Sequence, residues 1–581
     1  MTRACGFEKH PAVSISQSDA DCASGWVKIL DRLRAQGDVR SIAIECYPGV
    51  LLEPLRQQLV AHLNAELVLE SSEALLSPLA IEAKFSKVLG DDPVFARMTS
   101  VELDEFFDSE KIMQARRAAE NTKGRVIAFG TGASLLLPRW DLLIYADVSR
   151  WEIQQRQRTG TASNLGLMNA GSPPGQLYKR AFFLDWRAAD RERHRLYASV
   201  DFWIDGNQPE QPAMVSGATL RAALAEVSHR PFSLVPFFDP GPWGGQWMKR
   251  NFDLPDGPAN YAWCFNCVPE ENSLALRFGA RVFELPALTL VHEQPDALLG
   301  RCIVDRFGAD FPIRFDFLDT MDGGNLSLQV HPLSTYIREE FGISYTQDES
   351  YYLLDAAPDA TVYLGLREGV KREEMANALR GAQSGGPDFP AKDYVNVWPA
   401  RKHDHFLIPA GTIHCSGRNS MVLEISATPY IFTFKLWDWG RLGLNGQPRP
   451  IHLEHGLKNI QWERTTKWVR EHLIDRKEEI ASGEGWTEER TGLHSLEFLE
   501  SRRHWFTAPV PHDTQGNLNV LNLVEGEAAI VESPMNAFPP FTVHYAETFV
   551  IPAAVGPYTI RPAADRKEPL ATIKAYVREV G

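Results

Sequence analysis

The segment from Leu326 to Asp355, LSLQVHPLSTYIREEFGISYTQDESYYLLD, constrains this chain more than any other. Residues 327–332 (SLQVHP) alternate like a half-buried β-strand. Strand side chains repeat every second residue, so Gln329 and His331 share one face. Glu349 follows, at the head of an aromatic–aliphatic strand over 350–354. Further on, residues 406–414 (FLIPAGTIH) carry an apolar strand through a Pro-Ala-Gly turn to His414. Two histidines, one carboxylate and one amide oxygen form a ligand set for a divalent metal. A closed structural site uses four strong donors. Three strong donors and a weak amide suit a metal that keeps one position open for water or substrate, the pattern of a catalytic centre.

The 581-residue length predicts three or four domains with large buried cores. A hydrophobic fraction of 44% with 23% charged residues describes a soluble globular protein. No run of 18 or more apolar residues occurs, so no membrane-spanning helix is expected. The first residues hold no apolar signal core, and seven scattered cysteines point to reduced thiols and a cytoplasmic home. A net charge of −15 argues against nucleic acid as a partner, while leaving room for a local Lys/Arg cluster that binds a small anion.

Taken in order, residues 1–25 read as a flexible tail. Residues 26–205 alternate β and α segments, with short continuous apolar strands at 39–44, 124–130 and 141–147, the signature of a parallel α/β sheet. Residues 206–230 read as a linker, 231–455 as the metal-binding domain, 456–493 as a helical insertion, and 494–581 as a further β domain. In that last part AETFVIPAA (546–554) echoes residues 406–411 but no histidine follows, which predicts a second barrel without a metal.

The strand at 42–44, the turn at Pro48-Gly49 and the arginines Arg150, Arg156 and Arg158 after the strand at 141–147 resemble nucleoside kinases of the P-loop class, the arginines standing where a lid would be. The phosphate-binding signature G-x-x-x-x-G-K-[ST] is broken, however. Residues 45–51 read ECYPGVL, with only Gly49 retained and a carboxylate at Glu45. The expectation is a kinase-like domain that does not transfer phosphate.

The motifs Q-x-H-P, D-E-x-Y-Y and I-P-A-G-T-x-H, in that order, resemble the class I mannose-6-phosphate isomerases, and so do a W-G-G segment at 243–245 and FPIRFDFLD at 311–319. The resemblance covers residues 231–581 and implies cupin barrels, one Zn2+ per chain, and the ligands Gln329, His331, Glu349 and His414. It implies a sugar phosphate as partner and proton transfer between C1 and C2 through an enediol. TFKLWDWGR (433–441) matches the family's T-Y-R-L-x-D-W-G-R, which makes Lys435 the catalytic or substrate-orienting group and Arg441 a supporting cation. Three positions depart from the family: its arginine is Lys435 here, a lysine before the ligand Glu is Gln347, and a lysine in the strand before Q-V-H-P is Asp316.

The expected architecture is therefore multidomain: an N-terminal α/β parallel sheet like that of P-loop kinases, then two mainly β cupin barrels with helical insertions. The expected activity is zinc-dependent interconversion of mannose 6-phosphate and fructose 6-phosphate. The absence of the family's Lys at 347 and of its Arg at 435 favours an alternative, a cupin that binds a sugar or metabolite without turnover. A third reading is an Fe(II) or Mn(II) enzyme using His331, His414 and Glu349. His403 and His405 read as surface residues, Cys264 and Cys267 as buried thiols, and Trp437 and Trp439 as core.

Overall fold

The computed structural model describes residues 6–429, 431–492, 495–564 and 568–578. The chain divides into two compact units. One comprises Ala12–Val227 with Glu270–Glu293; the other comprises Met1–Pro11, Ser228–Pro269 and Gln294–Gly581.

The first unit is built on a seven-stranded sheet. Five strands are parallel, in the spatial order Leu67–Glu70, Val126–Gly130, Ser41–Cys46, Leu142–Asp147, Phe202–Asp205. Ala213–Ser216 and Cys22–Ser24 add antiparallel at one edge. The central strands are buried along their length, which is why they read as continuous apolar runs rather than alternating ones. A small sheet pairs Val13–Ser14 with the hairpin Ser273–Phe278/Arg281–Pro286.

Several expected boundaries shift. Of the expected tail, residues 1–5 lie outside the described residues; Phe7 is buried against Phe252 (4.0 Å between ring centres), and the strands at 13–14 and 22–24 belong to sheets. The expected linker holds the edge strand Ala213–Ser216 and the helix Gly217–Val227, which buries Leu220, Leu224 and Val227. Residues 270–293, expected in the metal-binding domain, belong to the first unit, where Tyr178 donates to Glu271 (2.6 Å) and the Glu284 amide to Asp205 (3.0 Å). The expected helical insertion begins with two short helices, Leu453–Asn459 and Thr466–His472, but continues as the hairpin Glu478–Gly483/Trp486–Gly492. Its run of mixed charges imitates a solvated helix, and Gly485 (φ 74°) supplies the turn that only a hairpin needs.

The second unit contains two pairs of sheets. In the first pair, a six-stranded sheet carries Glu349–Ala356, Ser420–Ala427 and Ile313–Asp319, and a five-stranded sheet carries Thr361–Leu366, His414–Ser416, Leu328–Val330 and Phe434–Trp437. In the second pair, sheets of six and four strands share an apolar core that includes Phe506, Leu521, Val531, Phe549 and Ile560. The W-G-G segment has a packing reason. A Cβ on Gly245 would lie 2.1 Å from Asp319 Oδ1, and one on Gly244 would lie 2.2 Å from Asn260 Oδ1. Among the described residues no helix is long and apolar enough to cross a membrane.

Candidate metal centre

The register of the five-stranded sheet assembles half of the site. His414 pairs with Gln329, and Gln329 with Lys435, so these three side chains project from one row of neighbouring strands. His331 lies two residues beyond Gln329 on the same face. The facing six-stranded sheet contributes Glu349. Its carboxylate lies 3.0 Å from His331 Nε2 through Oε2 and 2.7 Å from His414 Nε2 through Oε1. His331, Glu349 and His414 are buried, and their ligand atoms lie within 4.8 Å of one another.

The tautomers follow from the partners. His414 Nδ1 lies 2.8 Å from the Thr412 carbonyl and His331 Nδ1 lies 3.3 Å from that of Phe432. A carbonyl oxygen only accepts, so each Nδ1 carries a proton, and each Nε2, aimed at Glu349, becomes a lone-pair donor when its imidazole is neutral. His331 Nε2 and Glu349 Oε1 are buried without a hydrogen-bond partner among the described residues. Such groups are costly unless something satisfies them. Burial pushes the Glu349 carboxyl up, but His331 and His414 in their protonated form outweigh it and hold it well below the usual carboxylate range. Two lone pairs and an anion converging on one point fit a divalent cation. The Gln329 amide, 3.2 Å from His414 Nε2, is at the edge of the same set.

Around this centre lies a wall of charge that the motifs did not announce. Gln347 donates to Glu349 Oε2 (3.0 Å) and to Glu424 Oε1 (3.1 Å). Arg314 Nη2 contacts Asp316 Oδ2 (3.0 Å) and Glu424 Oε1 (2.9 Å). The two positions where the resemblance expects lysines thus carry an amide and a carboxylate, and Arg314, two residues before Asp316, supplies the buried cation. Burial, then the negative charges of Asp316 and Glu349, raise the Glu424 carboxyl well above its usual range.

Lys435 is half-buried. Burial foremost, then the charges of Arg449 and Arg441, push its ammonium down to about 7 against the opposing pull of Asp438. Arg441 is held on Asp438 Oδ1 (2.9 Å through Nε) and on the Asn325 carbonyl (2.5 Å). Arg449 joins the group unannounced, 3.1 Å from Asp438 Oδ2 and 3.0 Å from Ser327 Oγ. It lies in a Gly/Pro-rich loop whose spacing says nothing of where it folds back.

His405, expected at the surface, is buried. It pairs with Tyr352 across the sheet, on the face opposite Glu349, and its Nε2 meets Ser350 Oγ at 2.9 Å. Cys264 and Cys267 are buried free thiols, Trp437 is buried, and Trp439 is half-buried, donating to the Leu326 carbonyl (2.7 Å).

In the first unit, the expected phosphate-loop region is filled by side chains. Glu45 accepts from the amides of Gly132 (2.5 Å) and Ser134 (2.9 Å), and Tyr47 donates to Asp190 (2.9 Å). Gly49 (φ 102°) is retained for packing, since a Cβ would lie 2.8 Å from Ile153. Of the expected lid arginines, Arg150 is buried on Asp190 (2.6 Å), and Arg156 bridges the Gly49 and Gly206 carbonyls (both 2.8 Å).

Comparison with known proteins finds relatives over part of the chain. The chain is 26% identical over 217 residues to mannose-6-phosphate isomerase of Streptococcus mutans serotype c (strain ATCC 700610 / UA159), covering 37% of this chain and 63% of that protein. It is 25% identical over 236 residues to mannose-6-phosphate isomerase ManA of Bacillus subtilis (strain 168), covering 40% and 69%. It thus spans under two thirds of the streptococcal relative's length. The crystal structure of mannose 6-phosphate isomerase from Bacillus subtilis aligns with 60% of this chain and 99% of its own at 17% identity and a TM-score of 0.48. Residues 25–229 match a domain of unknown function (DUF8485).

Proposed function

We propose that the protein is a zinc-dependent aldose–ketose isomerase that interconverts mannose 6-phosphate and fructose 6-phosphate. The observation that carries this reading is the convergence of His331 Nε2, His414 Nε2 and Glu349 on one buried point, with the first nitrogen unpartnered. His331, His414, Glu349 and the Gln329 amide would hold one zinc. When bound, the ion supplies Lewis acidity toward the sugar oxygens. The chain supplies the rest. Lys435, beside Gln329 in the row and with an ammonium pushed down to about 7, takes the C2 proton of the open-chain aldose. The C–H electron pair forms the C1–C2 double bond and the aldehyde oxygen O1 becomes an enediolate; the O2 hydroxyl proton passes to O1, and return of the proton from Lys435 to C1 leaves C2 as the ketose carbonyl. Arg441 and Arg449 fix Asp438 beside this lysine and keep its amine partly neutral. The names of the relatives agree with this reaction class.

A second reading, a binding protein without turnover, is favoured by the Arg314–Asp316–Glu424–Gln347 wall, which spends charge on itself. Metal analysis of the purified protein combined with a coupled assay on mannose 6-phosphate separates the two. One zinc per chain with turnover supports the isomerase. Zinc without turnover supports the binding protein, and iron or manganese in place of zinc supports an oxygen- or redox-active cupin. For the first unit we infer a kinase-like sheet without phosphoryl transfer, because Glu45 already occupies the amides that an anion would use.

A further inference from the structure

The last pair of sheets holds a cavity of about 540 Å³ whose lining is unlike a core. On the inner face of the six-stranded sheet, Phe506, Leu570, Leu521 and Leu523 fill one end with apolar side chains. Moving along the same face, the strands Leu499–Phe506 and Leu570–Val577 switch to Arg502, His504, Lys574 and Tyr576. The pairing Arg490–Arg502–Lys574 sets three cations abreast on adjacent strands. Like charges abreast in a sheet destabilise it unless they are compensated.

Most of these groups are satisfied within the protein. Arg502 contacts Glu488 (3.0 Å) and Glu500 (2.7 Å), His504 Nε2 lies 3.2 Å from Glu488, and Tyr576 donates to Glu500 (2.8 Å). Lys574 is the exception. It is only 7% exposed, it lines the cavity, and its Nζ makes no hydrogen bond or ion pair with any described residue; the Nζ lies over the Tyr576 ring, 5.7 Å from the centroid. Burial pushes its ammonium down to about 8, with Glu488 opposing. Two further lining atoms, His512 Nε2 and Asn517 Oδ1, are buried without a partner. His512 is held in place by stacking on Tyr558 (4.8 Å, 10°), so its unpartnered nitrogen has a fixed direction. A cavity-facing ammonium without an ion pair, beside two buried polar atoms without partners, leaves hydrogen-bonding capacity that a ligand could meet. Ligand cavities of this size, in the mouths of β-structures and with a few convergent polar groups, are common.

We propose that this cavity is a second binding site, for a small polyhydroxylated anion whose carboxylate or phosphate pairs with Lys574 and whose hydroxyls reach His512 Nε2 and Asn517 Oδ1. It is independent of the metal centre. The test is isothermal titration of the full-length protein with gluconate and, separately, with inorganic phosphate, repeated on Lys574→Met. Binding of either probe, weakened at least about tenfold by the substitution (~1.4 kcal/mol) while turnover of mannose 6-phosphate is unchanged, supports the site. Gluconate alone assigns a sugar acid, and phosphate alone a phosphoryl group. Absence of heat with both probes at millimolar concentration, or equal affinity in Lys574→Met, overturns it. Should the variant not fold, reductive methylation of the native protein read by mass spectrometry decides: the bound probe must slow modification of Lys574, and an unprotected lysine sinks the proposal.

Discussion

At the scale of single residues, the candidate centre rests on which atoms lack partners. The carbonyls of Thr412 and Phe432 fix the two imidazoles so that both Nε2 lone pairs face Glu349. Removing one imidazole should therefore release the metal. His414→Ala is expected to lose zinc, read by elemental analysis, and to lose the rise in melting temperature that zinc gives the native protein; full stoichiometry in the variant would remove His414 from the ligand set. Lys435 poses a different question, because it adjoins the centre without being a ligand. With its ammonium pushed down to about 7, the neutral amine grows as pH rises through that value. Turnover should climb with pH across the same window, and Lys435→Met should keep zinc while losing about 10²–10⁴-fold in kcat/KM. Unchanged kcat/KM in the zinc-loaded variant would mean that another group is the base. The side chains that cluster around Glu349 were legible in the sequence because period-two alternation and a Pro-Ala-Gly turn are local signals. Arg449 and Arg314 were not, since each reaches its partners through strand register or a loop return that no local spacing encodes.

At the scale of elements, the turn before His414 couples the two ligand strands. Gly411 adopts φ 85°, donates its amide to the His331 carbonyl (3.0 Å), and has no room for a side chain: a Cβ would lie 2.8 Å from the Asn459 carbonyl and 2.9 Å from Leu333. Gly411→Ala should cost about 1–3 kcal/mol from the left-handed backbone and the collision together, measured by chemical denaturation. It should also weaken zinc retention, because the turn that carries the strain anchors His331. A variant of native stability with native zinc affinity would show that the turn flexes freely. His405 makes the complementary point. It falls in an equally histidine-rich stretch, yet one step of strand parity turns it away from Glu349 and toward Ser350.

At the scale of the whole molecule, several carboxyl groups are buried with little compensation. Burial foremost raises Glu45 to about 7 against the hydrogen bonds from Ser134 and Gly132, and burial with the charge of Glu284 raises Asp205 to about 7. A folded-state value above the unfolded one, near 4 for these groups, means that the folded chain holds a proton that the unfolded chain has released. The associated stability is complete below about pH 4 and is lost as pH rises to 7. Denaturation midpoints should fall between about pH 4 and 7, and Glu45→Gln should flatten that slope; an unaltered slope would show that Glu45 does not titrate in this range. What the sequence determined by itself was local. Continuous apolar strands announced the parallel sheet, and alternation with the turn announced that Gln329, His331 and His414 would face one another. What only the tertiary structure decided was long-range. It showed that residues 270–293 belong to the first unit, that residues 478–492 form a hairpin rather than a helix, that Arg314 supplies the cation beside Asp316, and that Lys574 lines a cavity over the Tyr576 ring. The physical reason is common to all four: periodicity fixes which face a side chain takes on its own element, while burial and pairing depend on which other element comes to lie against that face.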